Sequence, residues 1–173
     1  MSYYGGTGRI IVFTSNKADA NSLLLSDKIT HDVEVMHGDI AQNQREVTIK
    51  RFKDAKFQVL VATDVASRGL DIPNVELVLQ IEPPKDTESY IHRSGRTARA
   101  GASGTCITFY NQKNAEFLYR IEDMAGIKME KPGLPTEEDM LNAKNKDVLK
   151  KFKDVDMGVL PKFEDTADLM IGQ

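Results

Sequence analysis

Five short apolar runs, rich in β-branched side chains, punctuate the first 110 residues of the chain. They are residues 9–13, 33–37, 57–63, 75–81 and 104–110. Runs of this length and composition predict strands. The first and third, Arg9-Ile10-Ile11-Val12-Phe13 and Phe57-Gln58-Val59-Leu60-Val61-Ala62-Thr63, are almost continuously apolar. Strands of parallel sheets read this way because helices cover both faces. Between the runs, apolar positions fall at helical spacing. Ala20, Leu23, Leu24 and Ile29 mark a helix over 17–29, and Val47, Ile49 and Phe52 mark another over 42–52. A short helix is predicted over 86–92. After the last run, Phe117, Leu118, Ile121 and Met124 predict an amphipathic helix over 111–125, closed by Gly126 as C-cap. Strand alternating with helix predicts a three-layer α/β fold, with a central, mainly parallel sheet and helices on both faces.

The pattern breaks at 128–135, where Pro132, Gly133 and Pro135 cluster. Thr136-Glu137-Glu138-Asp139 then reads as an N-cap with an acidic first turn, opening a helix to about Phe152. The chain is accordingly divided into a domain at 1–127 and a partly helical extension at 128–173. The 173 residues suit one domain with an appendage, and 40% hydrophobic with 28% charged residues is a globular profile. No apolar run approaches the ~18 residues of a membrane span, and the first residues lack the pattern of a signal peptide. A single cysteine, Cys106, excludes an internal disulfide framework and reads as a core residue. Three scattered histidines give no zinc pattern, and no metal site is expected.

Net charge is −3, which taken alone argues against a nucleic-acid binder. Its distribution changes the picture. Residues 1–101 carry 13 Lys+Arg against 13 Asp+Glu, whereas 102–173 carry 10 against 13. The acidic excess therefore belongs wholly to the later part.

Ligands of open α/β sheets collect beyond the carboxyl ends of the strands. Three polar clusters follow strands there: His37-Gly38-Asp39 leading to Gln42 and Arg45, Thr63-Asp64 leading to Arg68-Gly69-Leu70-Asp71, and His92-Arg93-Ser94-Gly95-Arg96-Thr97-Ala98-Arg99. On a continuing helix, Arg93, Arg96 and Arg99 would share nearly one face, where three guanidinium forks suit a polyphosphate. The competing reading pairs these arginines with Asp86 and Glu88. Asp39, Asp64 and Asp71 are three acids near this edge, where a metal site or general base is conceivable, but Asp39 reads rather as a helix cap and Asp71 as a turn residue. The chain lacks a Gly-x-x-x-x-Gly-Lys-Ser/Thr loop, an Asp-Glu-x-Asp run, a Gly-x-Ser-x-Gly elbow and a Gly-x-Gly-x-x-Gly turn. Phosphate-reading arginines without a phosphate loop or magnesium ligands describe half a site, with the rest supplied by another domain.

These motifs, in this order and spacing over residues 8–127, resemble the second RecA-like domain of DEAD-box ATP-dependent RNA helicases. Glu82-Pro83-Pro84-Lys85 through Arg96, and Ala125-Gly126-Ile127-Lys128 with Gly133-Leu134-Pro135, resemble the nucleolar Gu-type branch. The resemblance implies a first RecA-like domain preceding this chain and a small RNA-binding domain following it. Arg96 and Arg99 would approach the γ-phosphate of ATP, with Arg99 as the finger. His92 would couple the nucleotide site to the other domain, and Gly69 and Asp71 would lie at the nucleotide, Asp71 on its ribose. Gly38, Gln42, Arg45, Thr63 and Arg68 would touch the RNA backbone, and Asp64 would organise the loop between the two sites. ATP would come with Mg2+, held mainly by the preceding domain. Partners would be RNA, bound without regard to sequence, and that domain; the resemblance gives a nuclear, nucleolar location and no oligomeric state. This fragment alone is expected to be inactive. Where the family reads Arg-Thr-Gly-Arg, this chain carries Ala98, which a left-handed backbone would strain. The alternatives are a RecA-like RNA-binding or partner-docking module without catalysis, and another superfamily-2 helicase.

Overall fold

The computed structural model of the chain describes residues 4, 8–26, 29, 31–64, 72–98, 103–133 and 135–153, with single positions at 158, 161, 164, 167 and 168. Five strands form one sheet: β1 (Ile10–Thr14), β2 (Val33–Met36), β3 (Val59–Thr63), β4 (Leu77–Gln80) and β5 (Thr105–Thr108). They lie in the order β2-β3-β1-β4-β5, and every pairing is parallel. The helices are α1 (Lys17–Leu24), α2 (Gln42–Lys53), α3 (Thr87–Ser94), α4 (Ala115–Ala125) and α5 (Glu137–Lys153).

The continuous apolar runs are explained by burial on both faces. Alternate side chains of β1 enter opposite clusters. Ile11 and Phe13 join Met36, Ile49, Phe52 and Leu60, while Ile10 and Val12 join Ala20, Val59, Val61 and Leu77. Helix α2 therefore covers one face through Ile49 and Phe52, and α1 covers the other through Ala20 and Leu23. This is the RecA-like α/β arrangement. After β3 the chain crosses to the far side of β1, so the carboxyl end of β1 lies between those of β3 and β4.

Some helical assignments need correction. Helix α1 stops at Leu24, where the Leu25 amide closes on the Asn21 carbonyl, and does not reach Ile29. Val47 is 49% exposed, and Thr48 takes the inward position beside Ile49. In α4, Leu118 and Ile121 are buried but Met124 is 68% exposed. Phe117 is half-buried.

Two helices end in the same backbone motif with different residues. At α4, Gly126 has φ 63, its amide donates to the Asp123 carbonyl, and the Ile127 amide donates to Glu122. At α2, Ala55 has φ 52, its amide donates to Phe52, and the Lys56 amide donates to Arg51. Both are Schellman closures, which need a left-handed residue. An alanine there carries about 1–2 kcal/mol of backbone strain. Ala55→Gly is expected to stabilise by roughly 0.5–1 kcal/mol after the larger unfolded-state entropy of glycine is subtracted. Gly126→Ala should destabilise by about the same amount, since an added Cβ meets nothing within 4 Å and only the backbone objects. Denaturant midpoints at unchanged m-value test both.

The chain forms two compact units, Tyr3–Gly133 and Leu134–Gln173. In the second, α5 opens on a reciprocal cap. The Asp139 amide donates to Thr136 Oγ1, and the Thr136 amide and hydroxyl donate to Asp139 Oδ2. These bonds to Thr136 hold the Asp139 carboxyl below its usual range.

Candidate nucleotide and nucleic-acid interface

The carboxyl end of the sheet begins with the loops after β1 and β2. Asn16 caps α1, its side chain accepting from the Asp19 amide. Lys17 in the first turn reaches across to Asp39, Nζ to Oδ2 2.6 Å. That hydrogen bond holds the Asp39 carboxyl below its usual range. Asp39 is thus a partner of Lys17 and not a helix cap; α2 starts at Ala41 without a side-chain cap.

Gly38 is exposed in a turn closed by the Ile40 amide on the His37 carbonyl. His37 is buried, with Nε2 3.2 Å from Asn21 Oδ1. Gln42 and Arg45 project from the first turn of α2. Gln42 is exposed and donates to Glu46, while Arg45 is half-buried with its Nε lacking a hydrogen-bond partner. A buried, unpartnered guanidinium N–H is costly unless something outside the domain accepts from it. Thr63 ends β3 in the same neighbourhood but is only 7% exposed. The structure therefore gathers Gly38, Gln42, Arg45 and Thr63 at one edge.

The next residue, Asp64, enters a bidentate ion pair. Arg93 on α3 donates from Nε to Asp64 Oδ1 and from Nη2 to Oδ2, both at 2.6 Å. Its Nη1 donates to Gln80 Oε1 at 3.2 Å and to the Glu82 carbonyl at 3.3 Å. The guanidinium lies 5.4 Å from the centroid of the Phe13 ring. In the sheet, Phe13 is the register partner of both Ala62 and Gln80. The arginine thus bridges the end of β1 from β3 to β4. With four donor contacts made and 3% exposure, it is not a phosphate reader.

Asp64 and not Asp86 or Glu88 is the anion for Arg93. Asp86 instead caps α3, accepting from the Ser89 amide. Nor does one helix carry Arg93, Arg96 and Arg99. Helix α3 ends at Ser94, and the Gly95 amide folds back onto Ile91 and Arg93. The main chain has by then crossed to the amino end of β4. The Arg96 carbonyl accepts from the Val75 amide at 3.0 Å, and Thr97 Oγ1 donates to the Val75 carbonyl. The third polar cluster therefore runs from the carboxyl to the amino end of β4. His92 is exposed on α3 midway.

Ala98 follows with φ 58. This is the left-handed geometry that the sequence motif made a concern, and it stands immediately before Arg99. Gly104 packs against this turn so closely that a Cβ would collide with the Thr97 side chain. Ala98→Gly should stabilise by roughly 0.5–1 kcal/mol, on the same reasoning as Ala55→Gly. Arg68, Gly69, Asp71 and Arg99 lie outside the described residues. Among the described residues, no group of three or more His, Cys, Asp or Glu side chains comes together to hold a metal. No described helix is long and apolar enough to cross a membrane.

Beneath α3, Gln80 Nε2 donates to Cys106 Sγ at 3.4 Å. Burial pushes the Cys106 thiol up, which fits a packing role and not a reactive one. Burial, with Cys106 second, pushes the Tyr90 phenol up to about 12. The neutral phenol is therefore favoured in the folded state. Its contribution is complete below pH about 10 and is lost as pH rises through about 12. Stability should fall by up to ~1.4 kcal/mol per pH unit across that window, and Tyr90→Phe should flatten the decline. Urea unfolding of both proteins at a series of alkaline pH values measures it.

Gly38, Gln42, Arg45 and Thr63 lie together as their places after β2 and β3 predict, whereas the Asp64–Arg93 and Lys17–Asp39 pairs are not foreseen from the sequence. Only the run of an acid immediately after a buried strand hinted at the first.

Residues 4–101 match the family model described as the helicase conserved C-terminal domain. The chain is 47% identical over 169 residues to nucleolar RNA helicase 2 of Mus musculus, covering 98% of this chain and 20% of that protein. The C-terminal domain of the DEAD-box protein Dbp5 superposes with a TM-score of 0.71 at 30% identity, over 82% of this chain and 84% of that one. An S. cerevisiae Dbp5 variant bound to RNA and ADP BeF3 superposes with a TM-score of 0.69 at 30% identity, over 87% and 40% of the two chains. This chain spans about a fifth of the length of its curated mouse relative.

Proposed function

As the chain belongs to the helicase conserved C-terminal domain family, in its DEAD-box group, we propose that it is the C-terminal half of an ATP-dependent RNA helicase. Its carboxyl sheet edge contacts the RNA backbone through Gly38, Gln42, Arg45 and Thr63, and Arg68 adds to that contact. Its other surface, at the turn after α3, offers Arg96 to ATP held by a preceding RecA-like domain; Arg99 is the finger toward the same phosphate, with Gly69 and Asp71 at the nucleotide and His92 coupling the two domains. Mg2+ belongs mainly to that preceding domain, where it would neutralise charge on the phosphates. Residues 128–173 are the partly helical extension. A nucleolar location follows from the likeness to nucleolar RNA helicase 2.

The observation that carries this reading is the separation of the two surfaces along one short helix. Polar groups with spare capacity, Gln42 and Arg45, sit at one end of the sheet. The Arg96 main chain is tied to the other end at Val75. RNA and nucleotide can then be held at once and coupled through α3. RNA offers phosphates and 2′-hydroxyls for sequence-blind contacts. When two such domains close on ATP and RNA together, one strand is bent, neighbouring pairs separate, and hydrolysis reopens the clamp.

The test is equilibrium RNA binding by the full-length protein, with and without a non-hydrolysable ATP analogue. The helicase reading expects RNA affinity to tighten with the analogue. Arg96→Ala should abolish that tightening while nucleotide-free RNA binding persists. A binding module without catalysis expects affinity indifferent to nucleotide, in both proteins.

A further inference from the structure

We propose that Asp39 is a built-in competitor of RNA: it holds Lys17 in the free protein and yields it to a backbone phosphate when RNA binds. This rests on the helicase reading above, which puts the RNA backbone at the carboxyl sheet edge. The pair spans that edge. Lys17 stands in the first turn of α1, after β1, and Asp39 in the turn after β2. Strand β3 lies between β1 and β2. Two strand spacings, about 10 Å, separate the segments that the bond joins. The ion pair therefore runs past the carboxyl end of β3, where Thr63 is buried.

Neither residue is explained by its own helix. A cation in the first turn of a helix meets the positive end of the macrodipole and is disfavoured there. Asp39 precedes α2, but its carboxylate turns to Lys17, and α2 starts without a side-chain cap. The contact is short, 2.6 Å, yet the two side chains are 60% and 61% exposed. An exposed pair adds little to stability, because water and salt screen it. Such a bond is easily exchanged: one anion leaves the lysine and another takes its place. A phosphate oxygen accepts from an ammonium as a carboxylate does, and the lysine binds either as a point charge.

The surroundings favour a phosphate as the second anion. At the same edge, Gln42 is exposed and Arg45 has a buried Nε without a partner. An acceptor arriving from outside the domain would satisfy that N–H. Asp39 also puts a negative charge on the surface that a polyanion must approach. While it stays on Lys17, it both neutralises a cation and repels the ligand. The consequence is a threshold. An isolated anion gains little by opening the pair, whereas a strand already held at Arg45 presents its next phosphates to Lys17 at high effective concentration.

The test titrates single-stranded RNA into the full-length protein bound to a non-hydrolysable ATP analogue, at several salt concentrations. It compares wild type, Asp39→Asn, Lys17→Ala and the double variant. Asp39→Asn keeps the shape but removes the competitor, and should tighten RNA binding about threefold, the size of an exposed ion pair. Lys17→Ala should weaken binding and make the slope of log affinity against log salt shallower by about one. The double variant decides. If Asp39 acts through Lys17, the gain from Asp39→Asn disappears once Lys17 is gone. An equal gain with and without Lys17 would overturn the proposal, since net charge alone predicts that. Unchanged affinity in either single variant would overturn it too. Thermal midpoints should stay near wild type; a variant unfolded at the assay temperature would contradict a weak, exchangeable contact. If the wild-type protein shows no salt-dependent RNA binding, the helicase reading of this edge fails first, and the role of Asp39 falls with it.

Discussion

Arg99→Ala in the full-length protein is expected to lower RNA-stimulated kcat for ATP hydrolysis by about 10³-fold or more. Nucleotide-free RNA affinity should stay close to wild type. In phosphoryl transfer, negative charge spreads over the equatorial oxygens of the moving group, and a guanidinium fork matches two of them. An interaction made mainly in the transition state changes kcat more than KM. Arg99→Lys should rescue poorly, because a point charge on a flexible stem does not reproduce the fork. Steady-state ATPase at saturating RNA measures this. A kcat within about tenfold of wild type would remove Arg99 from the finger role. Ala98 bears on the same residue. Relief of its φ of 58 by Ala98→Gly changes the backbone directly before Arg99, so its stability gain should be read together with kcat.

Asp64→Ala is expected to cost about 3–5 kcal/mol of folding stability, the usual penalty for breaking a buried ion pair from one side. The remaining guanidinium is 3% exposed and loses both bonds to its carboxylate. Arg93→Ala should cost less from charge, since the Asp64 side chain is 30% exposed and water can reach it. It will still lose the contacts to Gln80, Glu82 and Phe13. Urea unfolding of the isolated domain, compared by midpoint at constant m-value, ranks the two. An equal or reversed order would mean that packing over Phe13, and not the buried charge, dominates the site.

The strands were legible because burial on both sides leaves an unmistakable apolar run. Ile10–Thr14 and Val59–Thr63 are buried at every position. Their ends moved by a residue or two, as hydrogen-bonded pairing and not hydrophobicity sets them. The carboxyl-edge cluster was legible because strand ends in a parallel sheet all point the same way. The arginine cluster was not. Its spacing suited one helix, but the Gly95 turn and the anchoring of Thr97 to Val75 redirect the chain after Ser94. The Asp64–Arg93 contact spans 29 positions and depends on the crossing from β3 over β1 to β4. No local pattern encodes such a meeting. Ala98 was legible from a motif that elsewhere carries glycine. Ala55 was not, because a Schellman closure can be forced on any residue when the helix before it is well packed.

The central claim is that this chain is half of an ATP-driven RNA clamp. ATP turnover with saturating RNA tests it most directly, for the 173-residue chain alone and for the same chain joined to its preceding RecA-like domain. The account predicts background turnover for the chain alone and RNA-stimulated turnover for the joined protein. Substantial RNA-stimulated turnover by the chain alone, or none by the joined protein, would contradict it.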